Sequence, residues 1–449
     1  MITIYTASWV LQSASSQIEN GAVAVEGAKI VAVGSREFIT EKFPTASLRE
    51  FPESAIIPGL VNAHTHLELT AMRGYLENEE VDFFAWLRKL TIARQELMTP
   101  DDIRVSATWG ACEAVRAGIT CVGDASDGAR LSMLALNDTG LRGIVFQESF
   151  GPDARLAIEN FEKLKTKVAE LKDYESDLIK VGVSPHSPYT VCANQLELIA
   201  DYALAERLPL MMHAAESAAE DSLIREGCGI FADGLARRNI QWSTPGVSTI
   251  QYLKEVRILE TRPLLAHCIR VDEEDIATLA ETQSKIAHCP KSNAKLGHGR
   301  APFGRLLERG IDVGLGSDSV ASNNTCDILE EARFAALMAR TDARVTANQV
   351  FSAATVGGSR CLELGGVTGQ IDEGTQADFA VLSLNGTHQS PVYDALVSAI
   401  FSSSGRDVLL TVVAGKEVFH DGHVVNVDEE RLRVRMREIA AKLEPMQFK

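Results

Sequence analysis

Eight short apolar runs, separated by helical stretches, constrain this chain more than any other feature. They are IIPGLVNAHTH (56–66), ITCVGDAS (119–126), RGIVFQES (142–149), IKVGVSPHS (179–187), LPLMMHAAE (208–216), RPLLAHCIR (262–270), SKIAHCP (284–290) and IDVGLGSDS (311–319). Near-continuous apolar runs of this length fit strands covered on both faces. Between them lie segments with a 3.6-residue apolar period, such as ARLAIENFEKLKTKVAELK and ANQLELIADYALAERL. This alternation over residues 58–365 predicts an α/β fold, a parallel sheet closed into a (β/α)8 barrel.

Most of these runs end in a side chain that can bind metal or move protons. In order these are His64 and His66, Asp124, Glu148, His186, His213 with Glu216, His267, His288 and Asp318. Barrel enzymes place their chemistry at the C-terminal ends of the strands, so all of these would face one opening. His64 and His66 lie two residues apart, share one face of a strand and aim at a common point. Each residue alone has an ordinary structural use. A single strand-end histidine is more often a hydrogen-bonded structural group than a ligand, and the Asp of GSDS reads as a turn or cap. The joint placement at one end is what points to a site.

Both chain ends have a different texture. Residues 1–57 (MITIYTASWVL, GAVAVEGAKIVAVG) and 366–449 (ADFAVLSL, DVLLTVVAGKEVFHDG, HVVNV) read as short strands and turns. They predict one small β-sandwich built from both termini, with residues 428–449 as a terminal helix.

With 44 basic and 61 acidic residues, the net charge of -17 favours solubility and argues against nucleic acid or an anionic membrane as partner. No apolar run approaches the roughly 20 residues of a membrane span. Met1–Val10 lacks the basic start and apolar stretch of a signal peptide. The eight scattered cysteines form no CxxC pair and read as reduced, mostly buried thiols, so a cytoplasmic protein is expected. An HxE…PCxxC zinc motif is absent.

The segments PGLVNAHTH, HAAES, LLAHCIRVDEED, AHCPKSNAKLGHG and GLGSDSVASNN resemble the amidohydrolase superfamily. Within it they are similar to the mononuclear deaminases and chlorohydrolases that act on purine-like and triazine rings. The resemblance implies one divalent ion, Zn²⁺ or Fe²⁺, held by His64, His66, His213 and Asp318. Dinuclear relatives carry a carboxylated lysine at the end of strand four, where this chain has His186 in SPHSPY. The resemblance also implies that Glu216 protonates the ring nitrogen beside the carbon under attack. His267 would orient the water, and Asp318 would pass its proton to the leaving amine. Ser292, Asn293, Ser319 and His288 would support these groups.

For the substrate, the resemblance points to Glu68, Arg73 and Trp86 in the loop after strand one, with Glu148 and His186. Phe83 and Phe84 in that loop read equally as a lid over a flat ring or as the apolar face of a helix. HTHLEL and LGHG look like the aminofutalosine deaminases, whose substrate is an adenosine analogue bearing a benzoate. On that reading Glu68 binds ribose hydroxyls, and His298 or Arg300 meets the carboxylate. The alternatives are S-adenosylhomocysteine, methylthioadenosine or adenosine, or a chlorotriazine- or guanine-type ring. A non-catalytic scaffold is disfavoured because no ligand position is missing. The resemblance further implies a homodimer.

Overall fold

The computed structural model describes residues 1–340 and 344–444. The eight runs form strands β1 (Leu60–Thr65), β2 (Ile119–Ser126), β3 (Arg142–Ser149), β4 (Ile179–Pro185), β5 (Met211–Ala214), β6 (Leu264–His267), β7 (Lys285–His288) and β8 (Val313–Leu315). β1 to β4 and β5 to β8 make two four-stranded parallel sheets in sequence order. Single parallel bridges, Val183 with Leu210 and Thr65 with Asp318, bring the two halves together as a (β/α)8 barrel.

The interior is filled by small and branched side chains, among them Val61, Ala63, Ile144, Phe146, Met211 and Leu264. Val61 and Ala63 belong to this interior cluster, so simple alternation would turn His64 outward. The β1–β2 register slips between Asn62 and Thr65, and the slip resets the parity so that His64 and His66 both face the opening.

The first apolar run spans two sheets. Ser47–Pro58 pairs with Ile2–Ser13 and with Phe379–Ser383 in the β domain, whereas Leu60 begins the barrel. Gly59 is the junction, and a Cβ there would lie 2.0 Å from the Thr120 hydroxyl, which only glycine avoids. The β domain is an eight-stranded sheet drawn from both chain ends, with Ile2–Ser13 between Ser16–Glu26 and Ser47–Pro58. It encloses Tyr5, Val23, Ile56, Phe379 and Leu410 and forms the expected small sandwich. Residues 374–377 tie its two ends together by hydrogen bonds to Ala28 and Ile30. At the base of the barrel, Arg142 of β3 donates from Nε to Asp378 Oδ2 at 2.7 Å, both groups buried. The sandwich thus braces the strand starts, and the strand ends are left for chemistry.

The terminal helix, Glu429–Leu443, packs on the barrel side; its expected extension over 445–449 lies outside the described residues. Ile439 and Leu443 join the apolar cluster of Leu69, Met72 and Trp86. Asp102, in the first turn of helix Pro100–Arg116, receives Lys442 Nζ at 2.7 Å and Arg435 Nη2 at 3.3 Å. All eight cysteines are unpaired, and seven are buried. Among the described residues no helix is long and apolar enough to cross a membrane.

The Asp102 contact makes a prediction about stability. Burial pushes its carboxyl up, but hydrogen bonds from Lys442 and Thr99 outweigh burial and hold it below its ordinary value. Its contribution is therefore complete above the ordinary carboxylate pKa of about 3.9 and fades as pH falls through the depressed value. Asp102→Asn is expected to cost about 1–3 kcal/mol at pH 7. Urea unfolding of both proteins checks this, and the gap between them should close on acidification.

Candidate active site

His64 and His66 come from the end of β1, His213 from β5 and Asp318 from the turn after β8. One ligand atom from each lies within 4.8 Å of the others, and all four residues are buried. His66 Nε2 faces His213 Nε2 at 3.2 Å, and Asp318 Oδ1 is 3.5 Å from His64 Nε2 and 3.6 Å from His66 Nε2. A tetrahedral site with bonds of about 2.0–2.1 Å has edges of about 3.3–3.4 Å, so these spacings fit a single divalent ion. His64 Nε2 is buried without a hydrogen-bond partner, as an unspent donor to metal would be. Burial lowers the pKa of His64, His66 and His213, His66 to about 3, and so favours the neutral imidazole that ligation requires.

Outer contacts aim these donors. His213 Nδ1 donates to the His186 carbonyl at 2.8 Å, which leaves Nε2 for the cluster. Asp318 Oδ2 accepts from Ser292 Oγ at 2.6 Å and from Ser322 Oγ at 2.7 Å, which turns Oδ1 toward the histidines. Asp318 has φ 56° and His267 has φ 75°, left-handed conformations that cost energy for residues with a Cβ. That strain is concentrated where strand ends must bend side chains into one space.

Glu216 reaches the same space by a turn. On an extended strand it would point away from His213, but Ala215 takes φ 52° and ends the strand. Glu220 clamps this turn, accepting from Ala215 N at 2.7 Å and Glu216 N at 3.2 Å. The Glu216 carboxyl then lies 3.7 Å from His267 Nε2 and 3.6 Å from His298 Nε2. Burial raises its pKa, with partial opposition from His267. His267 Nδ1 bonds Asn293 Oδ1 at 2.8 Å, so Nε2 is the nitrogen presented inward.

The cluster opens into a cavity of about 330 Å³ lined by Glu68, Trp86, Glu148, His186, Glu216, His267 and Asp318 together with apolar side chains. His186 Nδ1 is tied to Thr190 Oγ1 at 2.9 Å and the ring lies against Phe150. Glu148 Oε1 is buried without a partner, 4.0 Å from His66 Nδ1. Glu148, His186 and His213 form a second close group of possible donors that shares His213 with the first.

Two expected substrate residues, Arg73 and Arg300, fall elsewhere, and His298 stands at the cavity's edge beside Glu216. Arg73 turns away from the cavity to Glu113 and to the Asn324 carbonyl, because its guanidinium finds a carboxylate on the neighbouring helix. Arg300 contacts the Met338 carbonyl at 3.4 Å, and with His298 it lines an outer cleft behind Ile269 and Arg270. His298 instead sits beside Glu216, its ring edge-on to Phe83. Sequence reading missed Arg94, Ser322, Glu220 and Phe150. Arg94 and Glu220 lie in amphipathic helical stretches where a charged residue reads as solvated surface, and Ser322 looks like a loop residue.

The amidohydrolase family profile matches residues 55–418, which includes every barrel strand. This chain belongs to the amidohydrolase family. The 5-methylthioadenosine/S-adenosylhomocysteine deaminase of Desulforamulus reducens is 30% identical to this amidohydrolase over 432 residues, 95% of each chain. A zinc-bound adenosine deaminase structure from Xanthomonas campestris superposes with a TM-score of 0.88 at 26% identity, covering 99% of each chain. The Helicobacter pylori aminofutalosine deaminase, in complex with methylthio-coformycin, gives 0.79 at 21% identity over 93% of this chain and 100% of its own, a likeness of fold. This amidohydrolase is a hydrolase acting on carbon–nitrogen bonds.

The hydrogen bonds to Asp318 predict a metal phenotype. Replacing both Ser292 and Ser322 by Ala should weaken Zn²⁺ affinity roughly 10- to 100-fold. Competition against a chromogenic chelator measures it, and an unchanged affinity would show that the hydroxyls do not orient the carboxylate.

Proposed function

We propose that this amidohydrolase is a metal-dependent deaminase that replaces the 6-amino group of an adenosine-type nucleoside by oxygen and releases ammonia. The observation that carries this reading is the position of Glu216, a buried carboxyl beside His267 and the donor cluster, at the floor of a cavity walled by Trp86 and Phe83. The names of the relatives found at 30% identity support it.

His64, His66, His213 and Asp318 would hold one divalent ion, Zn²⁺ or Fe²⁺. When bound, such an ion supplies the Lewis acidity that makes water nucleophilic near neutral pH. The protein's own groups then divide the proton work. Glu216, protonated more readily because it is buried, gives its proton to the ring nitrogen next to the amine-bearing carbon. That proton makes the carbon electrophilic. His267, fixed by Asn293, presents Nε2 to the attacking oxygen and steadies the charge that develops there. Asp318 takes one water proton and delivers it to the departing amine, and the second, lost from the hydroxyl as the ring carbonyl forms, restores the Glu216 carboxyl. Trp86 and Phe83 cover the flat ring and keep bulk water away.

For the rest of the nucleoside, aminofutalosine remains the finer expectation, with Glu68 toward the ribose. Arg300, expected to meet its benzoate, lines the outer cleft and not the cavity. It belongs in a panel with S-adenosylhomocysteine, methylthioadenosine and adenosine.

Zinc-loaded protein should release ammonia from at least one of these compounds, with loss of the 6-aminopurine absorbance. Silence across the panel would end the proposal. Glu216→Gln should retain zinc yet lose about 10²- to 10⁴-fold in kcat, as removal of a general acid does. A Glu216→Gln enzyme with near-normal kcat would remove Glu216 from the proton path.

A further inference from the structure

We propose that His298 is a positioning residue for Glu216: it donates a hydrogen bond from Nε2 to Glu216 Oε1 and so holds the carboxyl with Oε2 toward the substrate ring. This rests on the deaminase reading, in which Glu216 gives a proton to the ring and later recovers one.

One oxygen of Glu216 faces two imidazoles. His267 Nε2 lies 3.7 Å from Oε1, and His298 Nε2 lies 3.6 Å from the same atom. Both rings hang on one residue. Asn293 accepts His267 Nδ1 on its side-chain oxygen at 2.8 Å and the His298 backbone N–H on its carbonyl at 2.9 Å. Gly297, at φ 68°, and Gly299, at φ 113°, turn the chain on either side of His298. The imidazole so placed is 7% exposed and packs edge-on against Phe83, with ring centres 4.5 Å apart.

Three observations separate a role on Glu216 from a role on the ligand. Among the described residues, Glu216 and Phe83 line the cavity and His298 does not; it lines the outer cleft beside Asp221, Arg225 and Arg270. A ligand in the cavity therefore meets Glu216 and not His298. His298 Nε2 is buried with no hydrogen-bond partner among the described residues, and the Glu216 carboxyl is the acceptor it faces. Burial lowers the His298 pKa to about 4, so the ring is neutral and one nitrogen keeps its hydrogen. An ionised carboxylate only accepts, which sets that hydrogen on Nε2. At 3.6 Å the contact is longer than a hydrogen bond, and contacts of this kind shorten when a site is loaded.

Such a donor does more in the transition state than before it. Charge grows on the Glu216 carboxyl as its proton moves to the ring, and a hydrogen bond to an ionised oxygen is about twice as strong as one to a neutral oxygen. Its loss should therefore lower kcat and leave KM in place.

Zinc-loaded variants, assayed with the most active compound of the nucleoside panel, test this. His298→Phe keeps a ring against Phe83 and removes the donor; its kcat should fall about 10- to 100-fold, with KM changed less than about threefold. His298→Gln, whose side-chain amide carries an N–H of similar reach, should recover most of that loss. In a Glu216→Gln background, His298→Phe should cost less than about threefold more, because the two groups act as one unit. Nitrogen NMR of labelled histidines reads the contact without turnover. The resonance missing from His298→Gln should show a hydrogen on Nε2 and should shift in Glu216→Gln. A raised KM with kcat intact makes His298 a ligand contact and overturns the proposal. So does an undiminished loss in the Glu216→Gln background, or a hydrogen on Nδ1. Each of these results leaves the deaminase reading standing. If no compound of the panel yields ammonia, that reading falls and the proposed role falls with it.

Discussion

Nε2 of His66 and Nε2 of His213 face each other at 3.2 Å, and Asp318 Oδ1 stands close to both His64 and His66. His213 spends its Nδ1 hydrogen on a backbone carbonyl, so its inward nitrogen carries a bare lone pair. Lone pairs and a carboxylate converging in a dry space repel one another unless a cation lies between them. Much of the barrel's upper rim serves this one enforced encounter. The register slip in β1, the left-handed residues at the end of β6 and after β8, and the two serines on Asp318 each bend a side chain toward that centre. The cost is local strain, and the braced lower half of the barrel sustains it.

That bracing comes from the β domain. Its last N-terminal strand runs through Gly59 into β1 without a loop, and Arg142–Asp378 locks the foot of β3 to the chain's return into the same sheet. A buried ion pair adds little net stability over an apolar replacement, but breaking it leaves an uncompensated charge. Its value here is geometric: it sets where the strands start, and hence where their ends meet.

Much of this is legible in the residues. Strand ends are periodic and local, so the apolar runs and their terminal polar side chains can be read from the sequence alone. Resemblance adds which four of those side chains close on one point. Parity within a strand is harder. The HxH spacing groups His64 with His66 correctly, yet the slip that lets both turn inward leaves no mark on the sequence. The arginines escape sequence reading for a different reason. Arg73 and Arg94 lie in the same stretch, with equal claim to the cavity by composition. What separates them is that Glu113, from another helix, captures the first, while the second faces the cavity with Glu68 as its counter-ion. Pairings of that kind are tertiary events with no local signature. Likewise chain order groups the closing helix, Glu429–Leu443, with the sandwich it follows, whereas its apolar face finds a partner on the barrel wall.

That last docking carries a consequence for how the molecule is handled. Ile439 and Leu443 share one hydrophobic cluster with Leu69 and Trp86, and the latter two also line the catalytic cavity. The last turns of helix Glu429–Leu443 therefore back one wall of that cavity. A proteolytic clip within that helix, or a purification handle that disturbs it, acts one side chain away from the cavity wall. Fusions placed at the opposite terminus, whose first strand lies in the β domain, spare it.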